Sequence, residues 1–200
     1  MGPRPLFSIA MPIQSDWKNN YLFNTCFYPQ VFSPAECEQL IALQGLTKKS
    51  GLAGKPEPLD SVRNSTSTYL PLDDSTRWIH ERIYPLVQFL NENYYHFKIE
   101  LLSPAQVIAY PVGGFYDWHV DLGYDDLSAR KLSAVAFLTP RSDYQGGQLK
   151  LVSGLRMEED INQEQGTVVF FPSYMLHKVE PVTAGLRHTL VMWAYGPSFC

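Results

Sequence analysis

Apolar residues recur at helical spacing just after the tetrapeptide Ser33-Pro34-Ala35-Glu36. The tetrapeptide combines a capping box with proline at the first helical position, and both signals mark the start of a helix. The stripe that follows predicts a helix facing the core, and Gly45 predicts where this helix ends. The residues of the stripe are Cys37, Leu40, Ile41 and Gln44.

A second stripe predicts a helix across residues 74–93. Pro85 lies inside this helix and predicts a kink or a break, because proline lacks the backbone N–H of a helical hydrogen bond. We expect His80 and His96, which lie in or beside this region, to be surface residues. The stripe consists of Ile79, Ile83, Leu86 and Leu90.

From Gln106 onward the chain changes to short apolar segments separated by Gly, Pro and Asp. The segment Leu132–Leu138 is nearly all apolar, which is typical of a central strand buried on both faces. Residues 1–31 predict a further strand or two. Many antiparallel segments after two helices favour a β-rich α+β fold, a double-stranded β-helix (jelly roll) with supporting N-terminal helices. The predicted strands span about residues 106–112, 115–121, 130–139, 147–153, 166–171, 175–180 and 186–195.

Residues 46–61 have no hydrophobic period and contain many breakers of regular structure. Long segments of this kind in compact domains are functional lids or are disordered. Because this one leads to Arg63, we favour a lid over the substrate, with disorder as the open alternative. The chain can build one substantial core, so we predict a single domain over residues 1–200, with support in 1–100 and the jelly roll in 101–200.

Composition narrows the choice of partners and compartment. The 200 residues carry a net charge of −4 and no dense Lys/Arg run, which argues against non-specific binding to nucleic acid or an anionic membrane. The three cysteines show no metal-type spacing, so we expect a reducing compartment and no disulfide framework. The chain shows neither an apolar run of membrane-spanning length nor a signal-peptide core, so we expect a cytoplasmic protein; its oligomeric state stays open.

The tripeptide His119-Val120-Asp121 and the distant His177 are candidate metal ligands. On a strand, His119 and Asp121 point to the same side, because side chains repeat every second residue. Two imidazoles and one carboxylate on one face of an octahedral metal leave three open positions, as in non-heme Fe(II) oxygenases. The pair alone is a weak motif, and a surface histidine beside a solvated aspartate is the alternative.

Arg187 opens an apolar strand whose inward face it shares with Thr189, Val191 and Trp193. A buried arginine needs an anionic partner, because an unpaired buried charge is costly. That partner is either an internal Asp or Glu or the carboxylate of a ligand. The guanidinium fork suits the distal carboxylate of a 2-oxo acid whose other end chelates the metal, so we favour the ligand.

With these residues the chain resembles the Fe(II)- and 2-oxoglutarate-dependent dioxygenases of the prolyl 4-hydroxylase type. The similarity extends from about Phe32 to Phe199. Because Arg187 stands where several collagen-type relatives have lysine, the similarity is closer to the bacterial, viral and oxygen-sensing branches. The stretches that carry it are Phe32–Cys37, Val62–Ser65, Tyr110–Asp121, Tyr144–Leu149 and Phe171–Val182.

The resemblance implies a role for each matching residue. His119, Asp121 and His177 would bind Fe(II), and Arg187 with Tyr110 would bind the C5 carboxylate of 2-oxoglutarate. Trp193 would line the pocket behind the metal, and Thr189 is assigned to the same co-substrate pocket. Arg63 and Tyr116 are assigned to the substrate side. The implied cofactors and co-substrates are Fe(II), 2-oxoglutarate, O2 and L-ascorbate.

The implied reaction is hydroxylation of a C–H bond coupled to the release of succinate and CO2. The retained Asp121 favours hydroxylation, because related halogenating enzymes lack this ligand. We predict a peptidyl proline as substrate, in a protein or peptide partner. Three alternatives stay open: a free amino acid or small metabolite as substrate, a jelly-roll metal enzyme that does not use 2-oxoglutarate, and a non-catalytic peptide-binding module.

Overall fold

The computed structural model describes residues 22–44, 48–49, 61–153, 156–158 and 161–199. These residues include two α-helices, α1 (Pro34–Ala42) and α2 (Arg77–Leu90), and one π-helical turn at Asn91–Tyr95. Two 3-10 turns lie at Asp125–Ala129 and Arg141–Asp143. The strands are β1 (Cys26–Tyr28), β2 (Lys48–Lys49), β3 (Arg63–Asn64), β4 (Thr66–Tyr69), β5 (Leu101–Leu102), β6 (Gln106–Tyr110), β7 (Phe115–His119), β8 (Arg130–Phe137), β9 (Tyr144–Gly146), β10 (Leu149–Ser153), β11 (Arg156–Glu158), β12 (Val168–Pro172), β13 (His177–Val179), β14 (Val182–Gly185) and β15 (Arg187–Tyr195).

These strands form two main antiparallel sheets. The larger sheet has the order β1-β12-β8-β15-β6-β4-β2, and β5 also pairs with β15. The smaller sheet has the order β11-β10-β13-β7-β3, and β14 pairs with β9 in a separate ribbon. The chain thus passes repeatedly between two facing sheets, which is the double-stranded β-helix predicted from the sequence.

The central strand β8 of the larger sheet is buried on both faces, which explains why its sequence is so apolar. All eight residues of β8 are buried. Leu132 and Ala134 belong to a core cluster with the helices, whereas Val135 and Phe137 belong to a second cluster that includes residues of the smaller sheet. A strand with core on both faces requires apolar side chains at nearly every position.

The helices confirm most of the predicted local signals. Ser33 and Glu36 form the capping box: Ser33 Oγ accepts from Glu36 N (3.3 Å) and Glu36 Oε2 accepts from Ser33 N (2.7 Å). Helix α1 ends at Ala42, before Gly45, which lies outside the described residues. Helix α2 continues through Pro85, which is solvent-exposed, so a break at this residue is the wrong expectation.

Other expectations about the N-terminal half need correction. His80 is half-buried, so the expectation of a surface residue is wrong. Its Nε2 lies 2.9 Å from the carbonyl oxygen of Ser103, within hydrogen-bonding distance. His96 is exposed, as expected. The expected lid at 46–61 lies outside the described residues except for β2 and residue 61. Among the helices of the described ranges, none is long and apolar enough to cross a membrane.

All seven predicted strands are present, with ends that differ by a few residues. Sequence reasoning missed short strands of two to four residues, because so few residues show no hydrophobic period. The missed strands are β2, β3, β4, β5, β9, β11 and β14.

Candidate active site

The smaller sheet brings the two candidate histidine ligands side by side. His119 is the last residue of β7 and His177 is the first of β13, and the two are directly opposite in the antiparallel register. Asp121 follows β7 by two residues, and its backbone N–H donates to Ser173 O at 2.9 Å. Strand pairing therefore joins residues that are far apart in the chain.

The three side chains converge on one point. His119 Nε2 lies 3.8 Å from Asp121 Oδ1, and His177 Nε2 lies 3.6 Å from Asp121 Oδ2. One ligand atom from each residue lies within 4.8 Å of the others. Among the residues that the structure describes, this is the one group of three or more His, Cys, Asp or Glu side chains arranged to hold a metal ion.

Both imidazoles are oriented for metal binding by backbone carbonyls. Nδ1 of His119 lies 2.7 Å from Asp117 O, and Nδ1 of His177 lies 2.9 Å from Met175 O. In a neutral ring whose Nδ1 donates to the carbonyl, Nε2 carries the lone pair, and in both residues Nε2 is the atom that faces Asp121. Burial and the neighbouring His177 lower the pKa of His119 to about 3, so its ring is neutral at physiological pH. Neutral imidazoles and a carboxylate form a donor set that fits a divalent metal ion.

Asp121 is held by residues that sequence reasoning did not single out. Ser133 Oγ donates to Asp121 Oδ2 at 2.6 Å, and Ser173 Oγ lies 3.0 Å from Ser133 Oγ. Burial alone would raise the pKa of Asp121, but His177, His119, Arg130 and the Ser133 hydroxyl together lower it to about 2. The carboxylate is therefore ionised. Ser133 could have been noticed as the polar exception in the apolar segment Leu132–Leu138.

Arg187 buries its guanidinium without a partner. The residue is only 1% exposed, and its Nε, Nη1 and Nη2 atoms have no hydrogen-bond partner. The guanidinium carbon lies 5.1 Å from the ring centre of Tyr110, its register partner, and 5.7 Å from that of Phe137. The internal ion pair considered from the sequence is thus absent among the described residues, and the charge is left for a ligand.

Thr189 and Trp193 lie on the strand of Arg187, and both are buried. Trp193 packs in the cluster between the sheets, with the Arg130 guanidinium carbon 3.7 Å from its ring centre. Arg130 also donates to Asp121 O at 3.3 Å. Arg130 is a second site residue that sequence reasoning missed, because only the fold brings it to Asp121 and Trp193.

Arg63 and Tyr116 form a stack that ends on a candidate metal ligand. The two residues pair in register between β3 and β7, and the Arg63 guanidinium carbon lies 4.5 Å from the ring centre of Tyr116. The Tyr116 ring in turn stacks on His119, with centres 3.4 Å apart and planes 13° apart. Burial raises the pKa of Tyr116 to about 12, so its hydroxyl is neutral. The predicted contact of both residues with substrate stays a prediction.

A family model described as "2OG-Fe(II) oxygenase superfamily" matches residues 105–195. The chain is similar to this superfamily over that segment, which is somewhat less than half of its length. It contains the three candidate metal ligands, Arg187 and Tyr110, whereas Arg63 lies outside it. The resemblance drawn from the sequence is therefore confirmed.

Curated relatives of this oxygenase segment are bacterial proteins named PKHD-type hydroxylases. One from Synechococcus sp. (strain CC9902) is 38% identical over 84 residues, which cover 41% of this chain and 36% of the relative. One from Alteromonas mediterranea is 36% identical over 84 residues, covering 39% of this chain and 37% of the relative. The matches thus span well under half of the length of these relatives.

Solved structures of oxygenases share the fold over most of the chain. A prolyl-4-hydroxylase of Pseudomonas putida superposes with a TM-score of 0.69 at 22% identity, covering 86% of this chain and 92% of the other. A Trichoplax adhaerens prolyl hydroxylase, solved with a peptide fragment of hypoxia inducible factor, superposes with a TM-score of 0.72 at 20% identity, covering 86% and 83%. These matches confirm the predicted jelly-roll fold.

Proposed function

We propose that the protein is an Fe(II)- and 2-oxoglutarate-dependent dioxygenase that hydroxylates a C–H bond and releases succinate and CO2. The observation that carries this proposal is the unpartnered guanidinium of Arg187 in the space between the sheets. A buried charge without a partner destabilises a fold, and its planar fork matches a carboxylate. A metal enzyme that does not use 2-oxoglutarate would have no need of this charge.

The residues of the site have separable tasks. His119, His177 and Asp121 would hold Fe(II), which supplies dioxygen activation coupled to decarboxylation of the co-substrate. The carbonyls of Asp117 and Met175 keep the two imidazoles in the tautomer that leaves Nε2 free to coordinate. Arg187 would bind the distal carboxylate of 2-oxoglutarate, with Tyr110 beside it. Val135, Leu149 and Val179 are buried in the same apolar cluster as Tyr110 and Trp193, and such surroundings would help to keep water from the reaction.

As substrate we propose a proline residue in a protein or peptide. This is supported by the two solved structures that share the fold, a prolyl-4-hydroxylase and a prolyl hydroxylase bound to a peptide fragment. Arg63 and Tyr116, stacked against His119, are the residues that we expect nearest to this substrate. L-Ascorbate would serve as the accessory reductant.

Two buried free thiols, Cys26 and Cys37, support a cytoplasmic location, because thiols persist in reducing compartments.

Release of labelled CO2 from 2-oxoglutarate tests the reaction. Protein with Fe(II) and ascorbate should release CO2 slowly even without substrate, and His119→Ala or His177→Ala should abolish this release. His96→Ala is the matched control, since this histidine is exposed and lies outside the site. Undiminished CO2 release in both ligand variants would refute the assignment.

Mass spectrometry tests the substrate. A host-cell lysate treated with the enzyme should show an added oxygen atom on proline residues, and this product should be missing when the His177→Ala variant is used. Oxygen addition only to free amino acids or small metabolites would contradict a peptidyl substrate.

Arg130 favours a second candidate, a substrate that itself carries a carboxylate. This buried cation lies beside Asp121 and Trp193, and it forms no ion pair with any described residue. A free amino acid would offer this cation a second carboxylate besides that of Asp121, whose pKa Arg130 helps to lower. If this candidate is correct, Arg130→Gln should raise the KM for a free amino acid and leave the KM for an amidated peptide unchanged.

A further inference from the structure

The phenolic hydroxyl of Tyr144 is buried and has no hydrogen-bond partner among the residues that the structure describes. The residue is 3% exposed, and its Oη is inaccessible to solvent. A buried polar atom of this kind is unfavourable unless a ligand or an ordered water satisfies it. The candidate active site described above makes no use of this residue.

The ring of Tyr144 is fixed in place. Its residue pairs with Gly185 between β9 and β14, two positions before Arg187. The guanidinium carbon of Arg141 lies 4.7 Å from the ring centre, and Arg141 is itself anchored, donating from Nη1 to Gly146 O at 3.0 Å. The hydroxyl therefore lies in the interior, on a ring that packs against the Arg141 guanidinium.

Gly147 brings Tyr144 and Arg187 to the same point. A Cβ at Gly147 would lie 2.8 Å from Arg187 Cδ and 3.5 Å from Tyr144 Cε2. The backbone at Gly147 has φ +65°, a conformation that glycine adopts without strain. The absence of a side chain here lets the edge of the tyrosine ring and the stem of the arginine line one small volume. Both side chains end in polar groups without partners.

We propose that the Tyr144 hydroxyl donates a hydrogen bond to the distal carboxylate of the 2-oxo acid beside Arg187. The inference rests on the proposed function. A carboxylate offers about four lone-pair positions, so it can accept from the arginine fork and from hydroxyl groups at the same time. One bound anion would then satisfy both of the buried groups that flank Gly147.

Tyr28 provides a matched control. Its hydroxyl is also buried without a partner, and its exposed fraction is likewise 3%. Tyr28 packs in the other core cluster, edge-on to Phe170 at 5.9 Å, on the helix side of the larger sheet. Tyr28→Phe therefore removes a comparable hydroxyl far from the proposed site.

The experiment compares two ligands of the Mn(II)-loaded protein by calorimetric titration. N-Oxalylglycine carries the distal carboxylate, whereas oxalate offers a metal chelate without it. Tyr144→Phe should weaken N-oxalylglycine binding about tenfold and leave oxalate binding unchanged, since a hydrogen bond to a charged group is lost. Tyr28→Phe should leave the dissociation constants of both ligands unchanged.

Three results would overturn the inference. One is a loss for N-oxalylglycine of less than about threefold, and another is an equal loss for both ligands, which indicates a structural role. If Tyr144→Phe does not fold, a crystal structure of the wild-type Mn(II)–N-oxalylglycine complex decides: Oη farther than about 3.2 Å from the carboxylate rejects the contact. Failure of the proposed function gives a different result. The wild-type protein would then bind N-oxalylglycine no better than oxalate, and Arg187→Lys would leave the dissociation constants of both ligands unchanged.

Discussion

Ser133→Ala is the variant that most directly tests how the fold prepares the metal ligands. Ser133 is fully buried, and its hydroxyl donates to Asp121 Oδ2 at 2.6 Å. Because that proton is committed to the carboxylate, the Ser173 hydroxyl, 3.0 Å away, must donate to Ser133 Oγ. Alanine at position 133 would remove the donor and leave both partners unsatisfied.

The magnitude follows from two independent considerations. A hydrogen bond to a charged group contributes about 1.5–3 kcal/mol. Loss of a group that orients a metal ligand lowers metal affinity about 10- to 100-fold, which corresponds to roughly 1.4–2.8 kcal/mol. The two ranges agree, so we expect the Mn(II) dissociation constant to rise at least tenfold. Ser173→Ala should have a smaller effect, because Ser173 reaches Asp121 only through Ser133.

Titration of the metal-free protein with Mn(II), followed by calorimetry, measures this effect. Ser142→Ala is the matched control, because this exposed serine donates a similar hydrogen bond to Asp143 Oδ1 at 2.7 Å, away from the ligands. A Ser133→Ala protein that binds Mn(II) within about twofold of wild type would refute the argument that the serine pair orients Asp121.

Three further predictions concern the rest of the fold. Gly147→Ala should lower the free energy of unfolding by about 1–3 kcal/mol and weaken N-oxalylglycine binding, because the new Cβ would lie 2.8 Å from Arg187 Cδ and the backbone has a positive φ. Urea unfolding and ligand titration measure the two effects, and wild-type values in both would contradict the prediction. Between pH 7.5 and 5.5, His119 should lower the free energy of unfolding of the metal-free protein by about 1.4 kcal/mol. In the unfolded chain His119 binds a proton near pH 6.5, whereas burial keeps its folded pKa at about 3, so stability is lost as the pH falls. If a His119→Gln protein shows an equally steep pH dependence of urea unfolding, His119 is not the cause. Pro85→Ala should stabilise the protein by about 2 kcal/mol, because Pro85 is exposed inside α2 and lacks the backbone N–H of a helical hydrogen bond. Thermal unfolding measures this, and an unchanged or lower unfolding temperature would contradict the prediction.

Features encoded by a few neighbouring residues were predictable. The capping box of Ser33 and Glu36 lies within one turn, and α1 begins where it indicates. The nearly continuous apolar segment Leu132–Leu138 predicts burial on both faces from its own residues alone, and it lies in the central strand β8. His119 and Asp121 share a side because of strand periodicity alone.

Contacts that depend on strand register were not predictable. Ser133 reaches Asp121 across 12 residues, and Ser173 reaches Ser133 across 40. Arg130 acquires its place over Trp193 only because β8 and β15 are adjacent. The two-residue strand β3 forms because it pairs with the edge of β7. Two residues are too few to show a hydrophobic period, so the sequence does not predict such a strand.

The amino-acid sequence alone determined the β-rich fold, its longer helices and strands, the candidate metal-binding residues and the buried arginine, because these follow from periodicity and side-chain chemistry. The tertiary structure decided which polar groups find partners. It satisfied Asp121 with Ser133, and within the described part of the chain it left the Arg187 guanidinium and the Tyr144 hydroxyl without a hydrogen-bond partner. The physical reason is that hydrogen bonding is a short-range property of atoms in space, so only the register of packed strands determines which buried group meets a neighbour and which is left for a ligand.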